Sequence, residues 1–239
     1  MRFVPPLLAA LVLAAPAAPA AAAPSCPRPP GLAPAPVEAV EPGDIVTGIP
    51  TAYYLLAITW TPDWRRINGQ TKAATPMIDA EIRPQGFALH GLWPNGKVGP
   101  PYPRNCRPVG TIAPATVSAM YCRTPSAALM QHEWQAHGSC GWKTPAAYFR
   151  DAARLYDRVA LPKIEGLPDL TAGALRRAFV TRNRWLPAEA IFVATDKEGR
   201  LTEVRLCYDL AYRPAACPGG AGAADDKRIA LTPSTTGRF

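Results

Sequence analysis

The sequence predicts an α+β fold, and three groups of segments are consistent with it. Two apolar stretches of strand character come early, several amphipathic helical stretches follow, and an alternating hairpin closes the ordered part. The chain opens with Met1-Arg2, an apolar run from Phe3 to Ala15 and a small-residue tract from Ala17 to Ala23, so residues 1–23 read as a secretory signal peptide. The run is shorter than a membrane span and is broken by Pro5, Pro6 and Pro16, so a retained transmembrane anchor is not expected. Cys26 just beyond the tract leaves lipid modification as the alternative, although Ala23-Pro24-Ser25 lacks the bulky aliphatic residue such sites carry. Residues 24–50 form a proline-rich leader without apolar periodicity, expected to be extended and tacked onto the domain.

Order begins at Ala52. The aromatic and β-branched run AYYLLAITW, Ala52 to Trp60, suits a buried strand, which Thr61-Pro62-Asp63 ends. A mostly irregular loop is expected to Pro84, and then a second strand, GFALHGL, from Gly86 to Leu92, with His90 near its end. Pro94 to Pro114 reads as a long loop carrying Tyr102 and Cys106. A short helix is expected over 115–122 and a better one over Ser126 to His137, stopped by Gly138. Thr144 caps a helix that runs from Pro145 to about Val159, and Thr171 to Phe179 is also helical. Ile191 to Asp209 alternates about the turn Asp196-Lys197-Glu198-Gly199 as a β-hairpin, and its acidic residues are assigned to turn chemistry. Glycine, alanine and mixed charge from Pro218 to the end suggest a frayed tail, so the domain proper is residues 51–217.

Six cysteines in a chain read as exported argue for disulfides and an oxidising compartment. Zinc competes with that reading, but no C-x-x-C pair exists. The net charge of +8 suits a polyanionic partner, whether nucleic acid, an anionic membrane surface or acidic glycans. Arg176, Arg177, Arg182 and Arg184 around Trp185 are the nearest thing to a basic cluster, and at helical spacing they read as a solvated face with phosphate contact as the alternative.

The chemistry-bearing residues are concentrated. Two of the three histidines lie in QHEWQAHGSC, Gln131 to Cys140, and the third is His90 in ALHGLWPNG. His132 and His137 are five apart, about 140° around a helix, so they do not share a metal as histidines four apart do. Glu133 and His137 are the four-apart pair, expected to stack so that the carboxylate favours the protonated imidazole. Histidines, a carboxylate and a basic surface suit transesterification of RNA. The ribose 2′-hydroxyl is a built-in nucleophile, so the reaction needs a base, an acid and cationic groups rather than a metal. Trp93 and Tyr102, close to His90 in sequence, suit stacking on the bases of single-stranded RNA, with core packing the alternative for Trp93.

At these residues the chain resembles the ribonuclease T2 family of exported acid endoribonucleases, whose signatures are HGLWP and HEW-x-K-HG-x-C. The first is intact over His90 to Pro94, and the second reads HEWQAHGSC over His132 to Cys140. The resemblance extends less sharply over residues 53–217. It implies an antiparallel β-sheet flanked by helices and stabilised by disulfides. It further implies His137 as general base and His90 as general acid, His132 and Glu133 holding phosphate, and Trp93 and Asn95 at the first base site with Tyr102 as a stacking neighbour. Cleavage would give a 2′,3′-cyclic phosphate that is then hydrolysed to a 3′-phosphate. It implies the disulfides Cys106–Cys140, Cys207–Cys217 and, with them, Cys26–Cys122. Single-stranded RNA is the implied partner, with no cofactor and no metal, and the protein is expected to be a monomer in the periplasm or the medium.

The chain departs from the family pattern at three places. Ala136 stands where the family has lysine, Asn95 where some members have aspartate, and Leu129 where an aromatic residue is common. A missing cation near the phosphate costs about 3–4 kcal/mol of transition-state stabilisation if nothing replaces it. Two functions follow: an active metal-independent endoribonuclease, or a catalytically weak homologue that binds RNA or another polyanion in a stress or host-interaction role.

Overall fold

In the computed structural model, which describes residues 28–68, 86–97 and 99–234, the sequence YYLLAITW becomes the hub of the sheet. This strand, β1 (Tyr53–Trp60), is flanked by α1 (Thr61–Asn68) and pairs antiparallel with β2 (Phe87–Asn95) on one side. Beyond it come α2 (Pro114–Met120), α3 (Ala127–Glu133), a π-helical turn (Trp134–Gly138), α4 (Ser139–Gly141), α5 (Pro145–Asp157) and α6 (Ala172–Arg182). The hairpin of β3 (Ile191–Thr195) and β4 (Leu201–Tyr208) returns to pair β4 with the other side of β1, giving the order β2-β1-β4-β3. The sheet is antiparallel throughout and helices flank it, as the resemblance implies. Leu56, Ile58, Leu89, Leu92, Val204 and Leu206 carry its apolar contribution to the core, against Tyr148 and Leu155 of α5 and Phe179 of α6.

The local signals that define helix starts hold up. Ser126, Thr144 and Thr171 each accept a hydrogen bond from the backbone N–H three residues on, the short-range satisfaction that makes such residues good caps. In the hairpin turn the Asp196 carboxylate accepts from Arg200 N and Gly199 takes φ +78°. Cys106–Cys140 and Cys207–Cys217 are both bridged. The Cys26 end of the third expected bridge, to Cys122, lies outside the described residues, as does the signal peptide.

Several expectations are corrected. The chain does not turn irregular after Trp60: Thr61 to Asn68 is α1, with Asp63 buried and bonded to Arg200 and Thr232. The second strand runs on through Trp93, Pro94 and Asn95, so His90 is central to it. Gly138 does not stop the helix, which continues through the π turn to Gly141. A Cβ at Gly138 would lie 2.4 Å from the Trp134 ring and 3.0 Å from Tyr148, so the glycine answers to packing. Arg176 is no solvated face. It is 5 % exposed and bonds Asp225 and the carbonyls of Ala221, Ala223 and Ile191. Those bonds, with Gly173 N to Asp225 O, Ile229 N to Leu170 O and Thr232 to Asp63, pin residues 221–232 of the tail that was expected to fray from Pro218; residues 235–239 lie outside the described residues. The leader is extended but not merely tacked on: Val46 and Arg104 exchange both backbone hydrogen bonds, and Glu38 exchanges two with the Gln135 side chain.

Candidate active site

A one-residue irregularity in β2 brings the HGLWP side chains together. Leu89 pairs with Ile58 and Gly91 with Ala57, so His90 is the extra residue of a β-bulge. In a regular strand, residues three apart point to opposite faces. The bulge re-aims His90 onto the face of Trp93, and their rings meet edge to face at 5.1 Å.

The second motif arrives through α3. Glu133, its last residue, is 1 % exposed and accepts from Trp93 Nε1 at 2.7 Å. Gly91 leaves room for it, since a Cβ there would stand 1.8 Å from Glu133 Oε2. His90 Nε2 approaches Glu133 Oε1 at 3.3 Å, an ion-pair contact without hydrogen-bond geometry. The π turn then brings His137 against the same Trp93 ring, with ring centroids 5.3 Å apart and its buried Nδ1 without a hydrogen-bond partner. Ser139 N bonds Trp134 O, five residues back; such wide turns are frequent at functional sites. Glu133 makes no hydrogen bond or ion pair with His137, although its charge favours the protonated imidazole there as expected; its direct contacts are His90 and Trp93.

Two carboxylates outside both motifs complete the arrangement. Glu203, on β4 opposite Thr59, lies 2.5 Å from His90 Nδ1. Its other oxygen accepts from Arg205 Nε at 2.8 Å, and the Arg205 guanidinium lies 5.1 Å over the Trp93 ring. Glu38 of the leader lies 2.7 Å from His132 Nδ1. The hairpin's acidic residues thus include one that is not turn chemistry. An acid in a mostly buried strand, two residues from an arginine on the same face, was the available signal for Glu203; nothing local marks Glu38.

The electrostatics separate the two imidazoles that contact Trp93. Burial is the largest influence on each and favours the neutral ring. At His90 the charges of Glu133 and Glu203 overcome it, raising the pKa to about 10. At His137 burial prevails: Glu133 opposes it, while the charges of Arg104, His132 and His90 add to it, and the pKa falls to about 4. Burial would raise the two carboxylates, but the charge of His90 pulls Glu133 and Glu203 each down to about 2.

The remaining expected residues are less convergent. Asn95 is 4 % exposed and its amide donates to Trp93 O, so it is turned back onto its own strand. Trp93 is engaged on its ring and at Nε1 by the contacts above. Tyr102 is 45 % exposed on the loop after β2. Ala136 is 1 % exposed and its carbonyl accepts from Asn105 N at 2.9 Å, so the loop that Cys106–Cys140 anchors lies over it. Leu129 is buried. Arg104, in that loop, keeps its Nε buried without a hydrogen-bond partner and makes no ion pair among the described residues. Among the described residues no group of three His, Cys, Asp or Glu side chains is placed to hold a metal ion.

Comparison with known proteins points the same way. The model of the Ribonuclease T2 family matches residues 51–165, from β1 past α5, which takes in all three histidines and Glu133. A probable ribonuclease of Haemophilus influenzae is 26% identical over 178 residues, 70% of this chain, and the match spans only 61% of that protein. A ribonuclease of Aeromonas hydrophila is 27% identical over 175 residues, 66% of this chain and 76% of that one. Among solved structures, Japanese pear S3-RNase superposes with a TM-score of 0.56 at 19% identity, covering 74% of this chain and 98% of that one. RNase NT in complex with 5′-AMP gives 0.54 at 20% identity, covering 75% and 98%. At those identities the superpositions establish the fold.

Proposed function

We infer, for a chain that belongs to the ribonuclease T2 family, a metal-independent endoribonuclease that cleaves single-stranded RNA through a 2′,3′-cyclic phosphate. The observation that carries the reading is that two imidazoles contact one Trp93 ring in unequal surroundings: His90 lies between the carboxylates of Glu133 and Glu203, which favour its charged form, and His137 is buried with its Nδ1 unpartnered, which favours the neutral ring. Neutral His137 takes the proton of the ribose 2′-hydroxyl as that oxygen attacks phosphorus. Protonated His90 gives the proton of Nε2 to the departing 5′-oxygen. In the second step His90 takes a proton from water and His137 returns its own to the 2′-oxygen, leaving a 3′-phosphate. His132 and Glu133 hold the phosphate region. Arg104, whose charge is felt at His137, supplies the positive charge that Ala136 cannot. Tyr102 is the exposed aromatic side chain offered to a base, with Trp93 and Asn95 forming the wall behind it.

Two bridged cysteine pairs suit an oxidising compartment, and with the apolar N-terminus they support periplasmic or secreted localisation. No helix among the described residues is long and apolar enough to cross a membrane.

Ala136 favours a second reading, a weak catalyst that binds RNA without efficient turnover, because the helix offers no cation there. One experiment separates the two: incubate the protein and His137→Ala with unstructured RNA and EDTA from acidic to alkaline pH. Cyclic-phosphate products that vanish in the variant support the enzyme; binding without cleavage supports the second reading. Cleavage lost on adding EDTA would overturn the metal-independent mechanism.

A further inference from the structure

We propose that Glu203 is the positioning residue of His90, holding the ring by Nδ1 so that Nε2 is the atom that exchanges a proton with the substrate. The proposal rests on the RNA-cleaving reading above and adds to it a residue that neither sequence motif contains.

The geometry makes the two carboxylates beside His90 unequal. Glu133 approaches Nε2 at 3.3 Å without hydrogen-bond geometry. That is the atom a departing oxygen must reach, so substrate and Glu133 compete for it. Glu203 lies 2.5 Å from Nδ1, the ring nitrogen that does not face Glu133, so it engages the ring without occupying Nε2. Glu203 is itself held: Arg205 Nε donates to its second oxygen at 2.8 Å and Thr59 Oγ1 donates to its first at 3.4 Å. The support is needed because His90 is the extra residue of the bulge, so strand pairing does not fix its direction. The groups that face the ring are thus Glu133 from α3, Thr59 from β1, Trp93 from β2 and Glu203 with Arg205 from β4.

The proton ledger follows from this contact. As the 2′-oxygen bonds to phosphorus and the bond from phosphorus to the 5′-oxygen breaks, the Nε2 proton passes to the 5′-oxygen. The Nδ1 proton stays on the ring, donated to Glu203. The neutral ring is then left in the one tautomer that presents a lone pair at Nε2. That lone pair accepts the proton of the attacking water in the second step. A carboxylate at Nδ1 selects the tautomer needed for both directions of transfer.

The test uses the full chain, with Glu203→Gln beside the wild type. It follows kcat/KM on single-stranded RNA against pH, and the imidazole nitrogens of His90 by NMR. Removing the charge while keeping an acceptor moves the alkaline limb of the profile to lower pH by about one to three units. Activity at the acidic end also falls, but by less than at neutral and alkaline pH. A profile that falls equally at every pH, with its limb unmoved, assigns Glu203 a structural role only and overturns the proposal. If Glu203→Gln does not fold, the wild-type spectrum decides. A His90 Nδ1 proton in a persistent hydrogen bond, with the ring titrating above the ordinary value of about 6.5, supports the proposal. Titration at the ordinary value overturns it. A wild type that cleaves no RNA defeats the enzymatic reading instead, and the NMR comparison still decides whether Glu203 governs the ring.

Discussion

Gly91 and Glu133 fit as socket and plug: a Cβ on the glycine would stand 1.8 Å from Glu133 Oε2. The glycine of HGLWP therefore answers to a carboxylate forty-two residues away rather than to its own strand. Gly91→Ala is expected to expel Glu133 from its bond to Trp93, lowering stability by about 1–3 kcal/mol through overpacking and reducing turnover more than substrate binding. Denaturant melts beside steady-state kinetics check it; a variant with wild-type turnover would show that Glu133 need not sit there.

The pH profile should be a broad plateau. His137 must be neutral, and with a pKa of about 4 it becomes so as pH rises through that value. His90 must be protonated, and it remains so until pH rises through about 10. Measured kcat/KM should therefore climb at the acid end and fall only at the alkaline end. A measured mildly acidic optimum, as an ordinary acid histidine would give, would show that Glu133 and Glu203 do not hold His90 charged.

Arg104→Ala should act on both charge and proton affinity. Its charge lowers the His137 pKa, so its removal raises that pKa and moves the acid limb to higher pH. Losing a donor to the transition state should also cost about 10²–10³ in kcat. Ala136→Lys in the Arg104→Ala background is expected to restore part of the rate. A kcat that survives Arg104→Ala would place the needed cation elsewhere.

Glu38→Ala tests the leader. The ion pair with His132 is partly exposed, so its stability contribution should be below about 1 kcal/mol. Its kinetic effect should be larger: with Nδ1 released, His132 loses its orientation and KM for RNA rises several-fold while kcat changes little. Unchanged KM would make the leader a passenger at the site.

What could be read along the chain was what depends on near neighbours. The cap at Thr144, the helix starts at Ser126 and Thr171, the Asp196–Gly199 turn and the apolar run of β1 all express short-range rules, and all appear in the fold. The histidines and Glu133 stood out because their types are scarce and their spacing is distinctive. Glu203 and Glu38 did not, because each meets its histidine across 113 and 94 residues of chain. Arg176 was misread for the same reason: its partners lie in a tail whose composition suggested fraying. The Glu133–His137 pair was legible only in its charge effect, which the structure keeps; the direct contact it suggested is absent because the helix changes pitch at the π turn.

That change of pitch has a counterpart in the sheet. His90 and His137 each ride on a single surplus residue, one in a ladder and one in a coil. Excising one residue at either place would regularise the backbone while swinging an imidazole out of the cluster. On the proposed mechanism, both proton-transferring imidazoles thus depend on a register defect, so substitutions that regularise either backbone are expected to raise stability and lower activity together.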